Sequence, residues 1–285
     1  MTGPRPLRRV VRWSLAALLP GELALVVCVL AGVRIPPAAR LAVELAVLAV
    51  LVATGTLLAL DHRRHRRAGL GRRQALGAAV ADTVPAAVRR LTAHEIHLST
   101  SFLRWITRRG PHGVREGDVP VPYASGQAAV MFCFLFASVL ETVVLALLVP
   151  WPVVHLITLV VGVWGVYFVI ALHASCVVRP HVVGADGSLR LRYGALLDVR
   201  IPAGRVLAAR VDRRFPGTRP GAVDADGVAE LAVGSQTTVT VELTEPVDFT
   251  RPLGRRARAG AFRLYAEDPA ATVAALRAHA GLDRA

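Results

Sequence analysis

Two apolar runs joined by the three-residue link Pro150-Trp151-Pro152 constrain this chain more than any other feature. The first run, residues 127–149, carries one charged residue, Glu141. The second, residues 153–178, carries none apart from whatever charge His155 and His173 take up. A helix needs roughly 20 apolar residues to cross about 30 Å of hydrocarbon, and both runs reach that length. The link is too short for anything but a tight turn, so residues 127–178 read as a transmembrane hairpin.

Two further spans are expected before it. Residues 13–33 are apolar, interrupted at Pro20-Gly21-Glu22, and follow Arg5, Arg8, Arg9 and Arg12. No small-residue cleavage site follows, which favours a spanning helix over a cleaved signal peptide. Residues 41–60 form the second span, and a mean hydropathy of +0.48 fits a chain with several. Residues 61–126 then read as a long polar loop with 12 Arg against five acids (Asp61, Asp82, Glu95, Glu116, Asp118), a net of +7. The positive-inside rule makes this loop and the N-terminus cytoplasmic, and four spans return the C-terminus to the same side. The expected compartment is the plasma membrane.

The loop opens with Arg63, Arg64, Arg66 and Arg67 directly inside the second span. There each arginine gains about 1 kcal/mol from anionic headgroups, although setting topology accounts for most of that charge. Residues 91–109 read as an amphipathic helix. Leu91, Leu98, Phe102, Trp105 and Ile106 share one face, with Arg104, Arg108 and Arg109 around the rest. That face suits the membrane interface or packing against the rest of the protein, and the two readings stand level.

From residue 179 apolar and polar residues alternate. Strands are expected at 179–183, 189–193, 197–201, 206–211, 230–233, 237–243 and 261–265, with long insertions at 213–228 and 244–260. A turn centred on Gly194-Ala195-Leu196 sets Arg192 opposite Asp198 and Leu191 opposite Val199, two favourable cross-strand pairs. A terminal helix starts at Asp268-Pro269 and stops at Gly281. The chain thus divides into an N-terminal hairpin (1–60), a basic loop (61–126), a second hairpin (127–178) and a mainly-β domain (179–285).

Seven strands followed by one helix resemble a pleckstrin-homology-like barrel. Leu189-Arg190-Leu191-Arg192-Tyr193-Gly194 followed by Val199-Arg200-Ile201-Pro202 is similar to the short-strand, Gly, Ile-Pro pattern of bacterial pleckstrin-homology-like domains attached to membrane spans. Phe262-Arg263-Leu264-Tyr265 running into Asp268-Pro269 fits the same pattern. The whole chain resembles actinobacterial integral membrane proteins with four spans and such a tail. The resemblance implies membrane-associated binding or assembly rather than catalysis.

The expected function is accordingly a non-enzymatic membrane protein presenting a cytoplasmic interaction domain to a protein partner or to anionic lipid. Arg190, Arg192 and Arg200 are expected to face solvent on the barrel and, with Trp105 and the four arginines at 63–67, to be the binding residues. A second reading is a small transport-like bundle. Glu22 and Glu141 lie near mid-membrane by the helical rise of about 1.5 Å per residue and could share a proton or cation site. His155, Thr158, Gly162 and Gly165 form a stripe in the fourth span, with Glu141 and Ser138 as counterparts by depth in the third. Small residues of this kind suit a helix-packing seam.

All 34 basic residues are Arg, and the net charge of +14 favours anionic surfaces. Nucleic acid is not expected as a partner, since no helix-turn-helix, zinc-finger or aromatic RNA-binding signature is present. His94-Glu95-Ile96-His97 is not the H-E-x-x-H zinc motif, and Cys28, Cys133 and Cys176 form no C-x-x-C. No metal or cofactor is expected, and no nucleophile–base arrangement asks for an enzyme.

Overall fold

The computed structural model describes residues 13–14, 36–217 and 220–281. The expected first span therefore lies outside the described residues except for Trp13 and Ser14, which are helical. Three described helices are long and apolar enough to cross a membrane. They are α1 (Pro37–Arg67), α4 (Ala128–Leu148, with a 3-10 turn at Ala124–Gln127 leading into it) and α5 (Pro152–Val178). Large apolar side chains such as Leu48, Val52, Phe132, Phe136, Val160 and Trp164 stand exposed on them. Unpartnered apolar surface of that extent calls for hydrocarbon around it.

The chain forms two compact units: residues up to Ala93 with Val149–Ile157, and His94–Leu148 with the chain from Thr158 onward. In the first, α1 starts with Pro37 in its first turn, where a missing N–H costs nothing. It runs without a break past the expected end of the span, through Arg67. α2 (Arg72–Thr83) folds back on it and buries Ala75 and Ala79. The Thr83 hydroxyl donates to the buried Asp61 carboxylate at 3.3 Å, and His65 Nε2 lies 3.0 Å from Asp82. A good part of the expected loop is thus a helical hairpin. α3 (Ala86–Ile106) follows Pro85.

In the second unit, α4 and α5 come close at Gly162. A Cβ on Gly162 would lie 2.4 Å from Thr142 Oγ1 and 3.0 Å from Thr142 Cβ, so the glycine is what lets the helices approach. Thr142 donates its hydroxyl to Ser138 O at 2.6 Å, which satisfies it without water. The expected seam is therefore present but turned by one residue: Thr142 occupies it, Glu141 is exposed, and no described atom lies within 4 Å of a Cβ placed on Gly165.

The β domain holds two sheets. One has the order β1 (Val119–Val121), β2 (His181–Val183), β3 (Leu189–Tyr193), β4 (Leu197–Ile201), all antiparallel. The other has the order β5 (Val206–Arg214), β8 (Thr237–Thr250), β9 (Arg256–Leu264), β7 (Val228–Leu231), β6 (Ala222–Val223), with only β7 and β9 parallel. α6 (Pro269–Ala280) closes the chain. Asp268 accepts from Ala271 N–H at 2.9 Å and Gly281 takes φ 69°, the two caps expected. The β3–β4 register also comes out as expected, Arg192 opposite Asp198 and Leu191 opposite Val199.

Both sheets and α6 feed one core around Leu191, Val199, Val241, Phe262, Leu264 and Leu276. The sheets do not close into the expected barrel. β4 lies beside β8, but no strand pair joins the two sheets among the described residues. The expected insertion at 244–260 is instead the far end of a long β8–β9 hairpin, offset by a register shift between Glu242 and Val247. β1 comes from the segment expected to be a loop. Its central Pro120 cannot donate to a ladder, and it occupies a sheet edge, where that is tolerated.

The seam gives a direct test. Gly162→Ala should destabilise the detergent-solubilised protein by about 1–3 kcal/mol through overpacking against Thr142. Gly165→Ala, where no described atom lies within 4 Å of the added Cβ, should hold or slightly raise the thermal midpoint in the same melting assay.

Candidate functional site at the junction of hairpin and β domain

β1 and β2 are paired neighbours, yet the whole α4–α5 hairpin lies between them in the chain. Val121 pairs with His181, and the two helices leave and re-enter the sheet at that end. Tyr123, the second residue after β1, is fully buried, its ring stacked on His181 with centroids 4.5 Å apart. Its hydroxyl accepts the Gly194 N–H at 2.6 Å. Gly194 has φ +50°, and a Cβ there would meet Ser175 Oγ at 2.5 Å and Cys176 Sγ at 3.1 Å. The β3–β4 turn is thus pressed against the last turns of α5, and only glycine fits both the backbone angle and the space. The Tyr193 hydroxyl donates to Gln127 Oε1 at 3.2 Å, and Ser125 N–H donates to Glu267 Oε1 at 2.9 Å, fastening the start of α4 as well.

Arginines gather beside this junction. The register of β3 puts Arg190 and Arg192 on one face. The segment that precedes β1 runs across that face, so Arg192 is 1% exposed and not in solvent as expected. Its Nη1 donates to His112 O at 2.7 Å, and its backbone N–H donates to His181 Nδ1 at 3.0 Å. Its Nη2 has no partner among the described residues. Gly113 covers it: a Cβ there would lie 2.9 Å from Arg192 Nη2 and 3.1 Å from Arg190 Nη1. Asp198 stands opposite Arg192, but its carboxylate takes a two-pronged diagonal bond from Arg190 instead, with Nε at 2.7 Å. Arg179, the first residue after α5, donates from Nε to Ser101 Oγ at 3.0 Å.

Burial, and then its neighbours Arg190 and Arg179, pull the Arg192 guanidinium down to about 10. Arg179 is lowered for the same first reason. His112 falls below its ordinary value through burial and the charges of Arg179, Arg192, Arg104 and Arg190. Burial works to raise the Asp198 carboxyl, but the hydrogen bonds and charge of Arg190 carry it below the usual range. Fully buried, His181 is pushed down to about 3, so it is neutral and, with Nδ1 accepting, carries its proton on Nε2.

At the other end of β2 and β3, away from the turn that touches α5, lies a cavity of about 550 Å³. Arg115, Arg190 and Arg200 line it together with Glu116, Asp118 and Asp186. Asp118 shapes its rim, accepting from Arg115 N–H at 2.8 Å and Ala185 N–H at 3.1 Å. Arg200 is exposed on β4. A wall carrying both signs of charge suits a ligand or peptide with both, more than a simple anion.

Of the residues expected to matter, Arg190 and Arg200 line this cavity, and Arg192 is buried beneath Gly113. Arg63, Arg64, Arg66 and Arg67 are exposed on the last turns of α1, in the other unit. The stripe on α3 divides. Leu98 is buried and Phe102 packs edge-on against Tyr167 of α5, with centroids 5.1 Å apart, whereas Leu91, Trp105 and Ile106 are exposed. Glu141 is exposed on α4, and Glu22 lies outside the described residues. Tyr123, His112 and His181 were not anticipated, and Gly194 was expected only as the centre of the β3–β4 turn. The one signal for Tyr123 was an aromatic in the extended Val119-Pro120-Val121-Pro122 context. No family model, curated protein or solved structure matches this chain.

Tyr123→Phe should cost about 1–3 kcal/mol, because the buried Gly194 N–H loses its acceptor, and amide exchange at Gly194 should accelerate. His181 gives a pH dependence. Its native pKa of about 3 lies below the ordinary 6.5, so its contribution is complete above pH 6.5 and declines as pH falls toward 3. In that window the unfolded chain takes up a proton that the native state refuses, a slope of up to about 1.4 kcal/mol per pH unit. Denaturant midpoints measured from neutral pH downward should fall less steeply for His181→Gln than for the parent.

Proposed function

We propose that this is a four-span plasma-membrane protein with both termini in the cytoplasm, whose β domain, an open variant of a pleckstrin-homology-like domain, is a non-enzymatic interaction module for a protein partner. The 12 arginines of residues 61–126 support the orientation. The two-sheet core closed by a capped C-terminal helix supports the domain type. The observation that carries the reading is the cavity: about 550 Å³, lined by Arg115, Arg190 and Arg200 against Glu116, Asp118 and Asp186, at the end of the sheet away from α5. A site at the sheet end away from α5 that carries both charges fits a polar peptide surface better than a lipid headgroup.

A photo-crosslinking amino acid at Ala185, on the cavity wall, tests this in the full-length protein in its native membrane. One protein should crosslink reproducibly, and Arg200→Glu should reduce that product several-fold at equal expression. Crosslinks to lipid alone, or a protein product indifferent to Arg200→Glu, would count against the reading.

A further inference from the structure

α3 is fastened to α5 along one side. Ser99 Oγ lies 2.9 Å from the Tyr167 hydroxyl, Phe102 packs on the same ring, and Ser101 Oγ accepts from Arg179. Tyr167 lies 11 residues before Val178, about 16 Å up a helix that rises about 1.5 Å per residue. The stretch of α3 around Ser99–Phe102 therefore runs beside the inner half of a spanning helix. The opposite side of α3 carries Ile96, Thr100 and Leu103, with Thr107 just past its end in line with them, at helical spacing and without a charge. Ile96 is 54% and Leu103 is 59% exposed. The two threonine hydroxyls turn inward, Thr100 to Ile96 O at 2.7 Å and Thr107 to Leu103 O at 2.7 Å, and so ask nothing of water. The helix ends at Ile106, Arg108 turns the chain with φ 50°, and Arg108 and Arg109 are exposed.

We propose that α3 is an interfacial helix seated in the cytoplasmic leaflet, with its Ile96–Leu103 side against acyl chains and Arg108 and Arg109 on anionic phosphate headgroups. This rests on the membrane orientation proposed above. The lipid-facing side is the reverse of the one that hydrophobic periodicity marks, because Leu98 and Phe102 are spent on α5. A helix tied to a span on one side has lipid on its other side at the same depth, and a charge-free stripe with internally satisfied hydroxyls is what that depth demands. The arginines at its C-terminal end sit where headgroup phosphates begin.

Nitroxide labels on Leu103→Cys, Phe136→Cys and Arg258→Cys test it in the full-length protein. The protein is reconstituted in phosphatidylcholine vesicles with and without phosphatidylglycerol. The signal of the labelled parent, which carries Cys28, Cys133 and Cys176, is subtracted. The Leu103 label should match the Phe136 label on α4, several-fold more accessible to oxygen relative to a water-soluble nickel complex than the Arg258 label on β9. A Leu103 label that matches Arg258 would place this face in water, and an immobilised label shielded from both reagents would place it against protein. Either overturns the proposal. If the Phe136 label itself met the nickel complex, the membrane reading would fail with it. Arg108→Gln with Arg109→Gln should move the Leu103 label toward water only where phosphatidylglycerol is present, and the absence of any shift would overturn the headgroup contact.

Discussion

The pairing of β1 with β2 is the contact on which the rest of the second unit depends. It joins residues that are distant in sequence, Val121 with His181, and the α4–α5 hairpin is the connection between them. Adjacent antiparallel strands are usually linked by a few residues; here the link is two helices. Both helices must start and finish at the same strand end, so their lengths have to match. They do: 25 residues from Ala124 to Leu148 against 27 from Pro152 to Val178. Closing so long a connection is entropically costly. The buried Tyr123, stacked on His181 and bonded to Gly194, is among the contacts that offset it.

The same pairing explains the burial of Arg192. Once β1 is in place, residues 112–118 have to cross the outer face of β3, and that face carries two arginines. A buried cation is costly unless its hydrogen bonds are met. Backbone carbonyls of His112 and Pro180 meet part of the need, and Arg190 meanwhile holds the nearby carboxylate. Gly113 is what allows the covering segment to lie so close.

Much of this was legible in the sequence wherever local physics decides. Three of the four apolar runs, the β3–β4 register and both caps of α6 follow from length, alternation and terminus chemistry within a few residues, and the described residues have them. What could not be read depends on distant partners. β1 is three residues with a proline at its centre, too short for alternation to register. Arg192 looked like a solvent-facing partner of Asp198 because nothing local announces the segment that covers it. The α3 stripe was correct in its periodicity, but which side meets protein was decided by Tyr167, far along the chain. The seam of α4 and α5 was displaced from Glu141 to Thr142, a turn of about 100° about an α-helix, because the small residue that admits close approach is Gly162 and its neighbour has to be compact.

The β domain departs from the hairpin through two connections that lie side by side, Tyr123 into α4 and Arg179 out of α5. A domain hung on a single linker can swivel about it. A domain joined through adjacent, hydrogen-bonded strands has no such axis, since any rotation against the helices would shear the β1–β2 ladder and drive the Gly194 turn into Ser175. Torsion of the hairpin about its long axis is therefore inherited by the cavity at the far end of β2 and β3, with no joint in between to absorb it.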